Sequence, residues 1–158
     1  MFKLISKTIA AVAIVSVALF GSANAKTLKI ETHFTASSPN GEVAAQFAKN
    51  VEMFSGGSLK VEMFYSSSVT GKSAEVFNSA QTGIIDCDMT GAGYQTGKNA
   101  AFQFAGDVMG GYDNPYQQYE FLNFPGAQEA VDALYNKYGM TLIGWWIPGH
   151  ESLISSRP

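Results

Sequence analysis

A single cysteine, Cys87, leaves this 158-residue chain unable to form an internal disulfide, so its stability has to come from a packed core. Cys87 lies in an apolar strand pattern with no histidine near it in sequence, which points to packing as a small hydrophobe and away from a reactive thiol. Charge is sparse too: 10 basic against 13 acidic side chains, a formal balance of −3. An acidic chain without a basic cluster has nothing with which to displace counterions, and this excludes nucleic acid as a partner. The two histidines, His33 and His150, have no spacing that supports a metal site and are expected to line a surface or a pocket. After its first residues the chain has no run of about 18 apolar residues, so the mature protein is expected to be soluble. Repeats, low-complexity tracts and long linkers are all missing, and the length suits one domain.

What is present begins with "MFKLISKTIAAVAIVSVALFGSANA". A basic start (Lys3, Lys7), an apolar run from Ile9 to Phe20 and Ala23-Asn24-Ala25 read as a secretory signal peptide cleaved after Ala25. "TLKIETHF" then alternates, Leu28 and Ile30 against Lys29 and Glu31, as a strand does. The period changes in "SSPNGEVAAQFAKNVEMFSGG", where Val43, Phe47, Val51 and Phe54 make a helical stripe with Ala44 and Ala48 beside it. Gly56-Gly57 stop that helix, and "SLKVEMFY" is a second strand, which makes a βαβ unit with parallel strands. "KSAEVFNSAQTG" predicts a short helix burying Val76, Phe77 and Ala80, and "IIDCDMT" a third strand. Asn114 with Pro115 opens another helix. "GAQEAVDALYNKYG" continues as an amphipathic helix through Val131, Leu134 and Tyr138, closed by Gly139. "MTLIGWWI", apolar throughout, reads as a covered inner strand. The fold class is α/β, a mainly parallel sheet with helices on both faces. "GHESLISSRP" starts another extended stretch and stops without a helix, as a fragment would.

Several catalytic readings fail on spacing. "DMTGAGYQTGKNAAF" brings its third glycine, Gly97, one position late for a dinucleotide loop. It also has five residues between Gly91 and Gly97 where a phosphate loop needs four, and Asn99 follows Lys98. His150-Glu151 opens a zincin-like motif whose second histidine would fall at Ile154. Ser66 to Ser68 lack the glycines of a nucleophile elbow. Asp86 and Asp88 share a strand face and are explained as solvated or capping carboxylates. No cofactor is implied.

The strand ends carry a different pattern. Open parallel sheets bind ligands outside the carboxyl ends of their strands. Those ends hold His33-Phe34, Tyr65-Ser66, Thr90 to Tyr94, and Trp146 to Glu151. Flat apolar walls, bare glycine backbone (Gly91, Gly93), and a few polar groups (His33, His150, Glu151) make an inventory for binding a small polar molecule.

The order of elements from Leu28 to Pro158 resembles the solute-binding subunits of TRAP transporters, the DctP-type family. "LKIETHF", "AAQFAKNVEMFSGGSLKVEMFY", "EVFNSAQTGIIDCDM" and "YNKYGMTLIGWWIPG" carry the resemblance. "YQTGKNAAF" followed by "GDVMGG" resembles the branch that binds 2-oxo acids. The resemblance implies a type II periplasmic-binding-protein fold, two lobes closing like a clamp. It implies a periplasmic protein that captures a small organic acid for a membrane TRAP permease and makes or breaks no bond. It also implies that residues 1–25 are the signal, 26–148 the first lobe, and 149–158 the start of the crossing into a second lobe. The family's carboxylate-pairing arginine would then lie beyond Pro158, and Arg157 does not take its role. Carried over, the ligand positions fall at His33 and Phe34, on Gly91, Gly93 and Tyr94, at Trp146, and near His150 and Glu151. Glu151 departs from relatives with an arginine there, so a cation bound with the ligand, a positively charged substrate, or a carboxylate turned away are the alternatives. An ABC-type receptor of the same fold, or a periplasmic α/β enzyme using His33 or His150, are the rival functions.

Overall fold

The computed structural model describes residues 25–106, 108, 110–147 and 155–156. The signal segment up to Asn24, and His150 and Glu151, lie outside the described residues.

Three parallel strands form the sheet: β1 (Lys26–Thr32), β2 (Leu59–Phe64) and β3 (Cys87–Met89), in the order β2-β1-β3. Lys26 stands beside Leu59 and Ile30 beside Met63, while Ile30 to Thr32 stand beside Cys87 to Met89. The chain leaves β1 toward one side and crosses back past it to reach β3. Right-handed crossovers in opposite directions place the two connecting helices on opposite faces. The carboxyl ends of β1 and β3 therefore flank the topological switch point.

Helix α1 (Pro39–Phe54) starts where Ser38 Oγ accepts the N–H of Gly41 at 3.0 Å, with Pro39 in the first turn. Gly41 packs so close that a Cβ there would collide with the Thr35 carbonyl. The helix ends at Gly56 and Gly57, whose positive φ values of 61° and 80° suit glycine. Its buried line is Gly41, Ala44 and Ala48, while Val43 is exposed and Phe54 is 80% exposed. The buried face is thus rotated from the expected Val43–Phe54 stripe toward the alanines, because small side chains let the helix lie close on the sheet. Glu52 of α1 reaches the edge strand, its Oε1 accepting the Val61 N–H at 2.9 Å and its Oε2 facing Lys60 Nζ at 3.4 Å. A side chain thereby caps a backbone donor on an open edge.

Helix α2 (Ser73–Gln81) buries Val76 and Phe77 completely, leaves Ala80 half-buried, and closes at Gly83. Beyond β3 come two short 3-10 turns, Ala92–Gln95 and Ala100–Ala105. Helix α3 (Pro115–Asn123) is capped by Asn114 Oδ1, which accepts from Tyr116 and Gln117. Helix α4 (Pro125–Asn136) buries Val131 and Leu134. It stops short of Tyr138, and Gly139 turns the chain at a φ of 70°.

The core gathers Phe77, Ala92, Phe102, Ala105, Val131 and Leu134. Phe102 sits edge-on to Phe77 at 5.8 Å and to Tyr135 at 5.2 Å, with Tyr138 5.5 Å away. Such edge-to-face pairs match the ring quadrupoles and add to burial. Residues 140–147 do not form the expected inner strand. No described strand lies alongside them; the run is held by the Met140 N–H on the Tyr135 carbonyl at 3.2 Å, the Leu142 N–H on Asp132 Oδ1 at 3.1 Å, and side-chain packing. Met140, Leu142 and Trp145 lean on the core while Ile143 is 72% exposed. Among the described residues no helix is long and apolar enough to cross a membrane.

Candidate ligand-binding site

Strand β1 runs into His33-Phe34 at the switch point. The turn after β2 is tied to this end: the Ser66 N–H donates to the Phe34 carbonyl at 2.9 Å and the Ser67 N–H to the Thr32 carbonyl at 3.0 Å. Ser66 and Ser67 hold left-handed φ values of 57° and 50°, a conformation that side-chain-bearing residues rarely adopt. The hydrogen bonds to β1 hold the two residues there, so local strain is stored beside the strand end.

The first 3-10 turn brings Tyr94 across from β3. His33 lies 3.9 Å from Phe34 between ring centroids, and Tyr94 meets it edge-on at 5.3 Å. Trp146 comes back from the other end of the chain to within 6.0 Å of Phe34. Four side chains marked from sequence, His33, Phe34, Tyr94 and Trp146, therefore form one aromatic cluster from three separate segments. Tyr94 is 46% exposed, whereas His33, Phe34 and Trp146 are half-buried. Gly91 and Gly93 flank the cluster. A Cβ on Gly93 would point into open space, and one on Gly91 would touch the Tyr94 ring at 3.8 Å. Neither needs glycine for its φ, so what they offer is uncovered backbone.

His33 Nδ1 is buried and has no hydrogen-bond partner among the described residues. Burial also lowers the pKa of the ring from its ordinary 6.5, so His33 is neutral at pH 7. As a neutral imidazole the ring can offer one N–H and one acceptor nitrogen without carrying a charge.

Other buried polar groups lie outside the expected set. Glu31, Thr32, Ser67 and Gln95 are all buried. The alternation of "TLKIETHF" assigns Glu31 to a polar face, yet it is 0% exposed because the turn after β2 folds over it. Asp86 behaves as expected, accepting the Lys29 N–H at 2.8 Å. Asp88 does not: it is largely buried, and desolvation pushes its carboxyl up to about 6. The doubled aspartate inside an otherwise apolar "IIDCDM" is the signal that could have marked it. Burial and the flanking aspartates push the Cys87 thiol up as well, which agrees with an unreactive cysteine.

The sequence matches the family described as bacterial extracellular solute-binding protein, family 7 (DctP), over residues 30–158. Comparison with curated proteins found no match. Among solved structures, an apo, open TRAP periplasmic solute-binding protein from Rhodobacter sphaeroides is similar at a TM-score of 0.69 and 26% identity, over 75% of this chain and 37% of that one. A TRAP solute-binding protein from Pseudoalteromonas atlantica with bound sodium and pyruvate gives 0.67 and 20%, over 73% of this chain and 35% of that one. One from Bordetella bronchiseptica, with calcium and picolinate in its active site, gives 0.65 and 21%, over 72% and 34%. The latter two likenesses speak to fold alone. The chain spans about a third of the length of these relatives. The three-stranded parallel sheet is part of their type II periplasmic-binding-protein architecture. With a family match from β1 to the last residue, this chain belongs to the DctP family of bacterial extracellular solute-binding proteins.

Proposed function

We propose that the protein is the periplasmic receptor of a TRAP-type transporter and captures a small organic acid, of the 2-oxo-acid class, for a membrane permease. The observation that carries this reading is the convergence of His33, Phe34, Tyr94 and Trp146 at the switch point. Rings from separate segments with uncovered backbone at Gly93 suit a flat, small, polar ligand. Neutral His33 would donate its one ring N–H to a carboxylate or keto oxygen. It brings no charge, so the anion's charge has to be met elsewhere. The arginine of a second lobe, or a cation bound with the ligand, meets it in this reading, and His150 and Glu151 would stand at the rim on the crossing segment. Residues 26–148 are then the first lobe and 149–158 the crossing, with export following cleavage after Ala25. Support for the ligand class comes from "YQTGKNAAF" and "GDVMGG", which resemble the 2-oxo-acid branch, and chains of the same fold hold small carboxylates, pyruvate with sodium in one and picolinate with calcium in another.

The test is a thermal-shift panel on protein that carries both lobes, using pyruvate, longer 2-oxo acids, dicarboxylates and amino acids, each with and without sodium or calcium. A ligand at about 100 times its Kd stabilises by about 2.7 kcal/mol. The reading expects the shift with a 2-oxo acid. A shift confined to amino acids or to cationic solutes would replace the ligand class.

A further inference from the structure

The parallel register sets Glu31 of β1 directly beside Asp88 of β3. Side chains alternate along a strand, so both carboxyls leave the sheet on one face, while Ile30 and Cys87 leave on the other. Oε1 of Glu31 accepts the N–H of Val69 at 2.7 Å and of Thr70 at 3.3 Å. Oε2 is buried and has no hydrogen-bond partner among the described residues. Asp88 Oδ1 accepts the Thr90 hydroxyl at 2.6 Å. Burial, and behind it the negative charge of Glu31, raise the Asp88 carboxyl even though the bonds from Thr90 pull the other way.

A buried acceptor that no donor reaches is costly, and a second, partly buried carboxylate beside it is costlier still. One proton relieves both, since a protonated Asp88 becomes a donor for the orphaned Oε2. A metal ion would need more ligands, and among the described residues no group of three or more His, Cys, Asp or Glu is arranged to hold one. We propose that Glu31 and Asp88 form a proton-binding site that bridges β1 to β3 directly below the loops carrying His33 and Tyr94. The proton comes from solvent. When it is bound, the two strands are tied by a carboxylic acid–carboxylate hydrogen bond. When it leaves, two like charges push the strands apart under the aromatic cluster. The site thus makes the rigidity of the switch point depend on pH, whatever ligand is held above it.

The surroundings fit a proton site. The turn after β2 presents the Val69 and Thr70 amides, and Phe64 of β2 stands beside Glu31 in register. On α4, the Tyr135 hydroxyl is pushed up to about 12 by burial and then by the Asp88 charge, so it stays neutral. Lys72, just before α2, and Glu75 of α2 are exposed. Lys29 and Glu62, one step back on the same sheet face, stand opposite each other and are exposed.

Infrared spectra of the carboxyl C=O stretch and melting curves, taken from about pH 4 to about pH 8 on the whole chain, test this directly. Above about pH 5, where ordinary carboxyls are ionised, the wild type should keep a protonated-carboxyl band that disappears in one step near pH 6, with melting temperature falling from about pH 4 up to that step. Asp88→Asn should lack both the band and the step, and should melt several degrees above wild type at the alkaline end. Glu31→Gln should move the step to lower pH, and its spectrum decides the matter should Asp88→Asn fail to fold. An unchanged step in either variant would overturn the proposal. So would a rise in wild-type melting temperature when sodium replaces choline, absent in Asp88→Asn, since a metal cation would then occupy the place of the proton.

Discussion

Two aromatic clusters in this molecule use the same residue types for opposite ends. Around Phe77, Phe102, Tyr135 and Tyr138, rings close on one another at 5.2 to 6.0 Å, over a floor of small and aliphatic side chains. Around His33, Phe34, Tyr94 and Trp146, rings meet at 3.9 to 6.0 Å. Here, however, one ring nitrogen is buried without a partner, Tyr94 stands out toward solvent, and left-handed serines brace the base. In the first cluster every ring adds to stability. In the second the packing stops short, and unpaired polar atoms and uncovered backbone are what a ligand would complete. Ring geometry alone does not separate a core from a site; unsatisfied polar atoms do.

Breaking the first cluster should have the largest effect. Phe77→Ala removes a fully buried ring that touches three other aromatics and should cost about 3–5 kcal/mol, read as a fall in denaturation midpoint. Next comes the carboxyl pair. The Asp88 pKa in the fold, about 6, lies above its ordinary 3.8, so the folded state binds a proton more tightly than the unfolded chain. Stability is then complete below the ordinary value, falls as pH rises through about 6, and stays low above it. The shift corresponds to roughly 3 kcal/mol, and Asp88→Asn should abolish that slope. His33 acts in the opposite sense, since its lowered pKa makes acid destabilising below about 6.5, and Asp88→Asn should expose that weaker slope. Gly41→Ala should cost about 1–3 kcal/mol, because the new methyl meets the Thr35 carbonyl. Tyr94→Ala should move stability least, by about 0.5 kcal/mol, since the ring is half-exposed. A large loss there would make the second cluster a core like the first.

Much of this contrast was legible before folding. The periods of "TLKIETHF" and "SLKVEMFY", the glycine stops and the Asn114-Pro115 start place β1, α1, β2 and α3 closely, because these signals are local. The convergence of His33, Phe34 and Tyr94 followed from parallel-sheet topology, which needs only element order, whereas Trp146 reaches them from a stretch that does not form the expected strand. Non-local facts escaped. Whether Ala44 or Val43 faces the sheet depends on how closely the helix can approach. Whether Met140 to Ile147 pairs depends on a neighbouring strand. That Glu31 is buried depends on a turn some forty residues later, as its contacts with Val69 and Thr70 show.

The central claim is that the cluster at the ends of β1 and β3 is a ligand site. Titration calorimetry of pyruvate or a longer 2-oxo acid into protein that includes the proposed second lobe, in wild type, Tyr94→Ala and Trp146→Ala, tests it most directly. The account predicts saturable binding by wild type and at least a tenfold loss in each variant, with melting temperatures of the unliganded proteins close together. Wild-type affinity retained in both variants would contradict it.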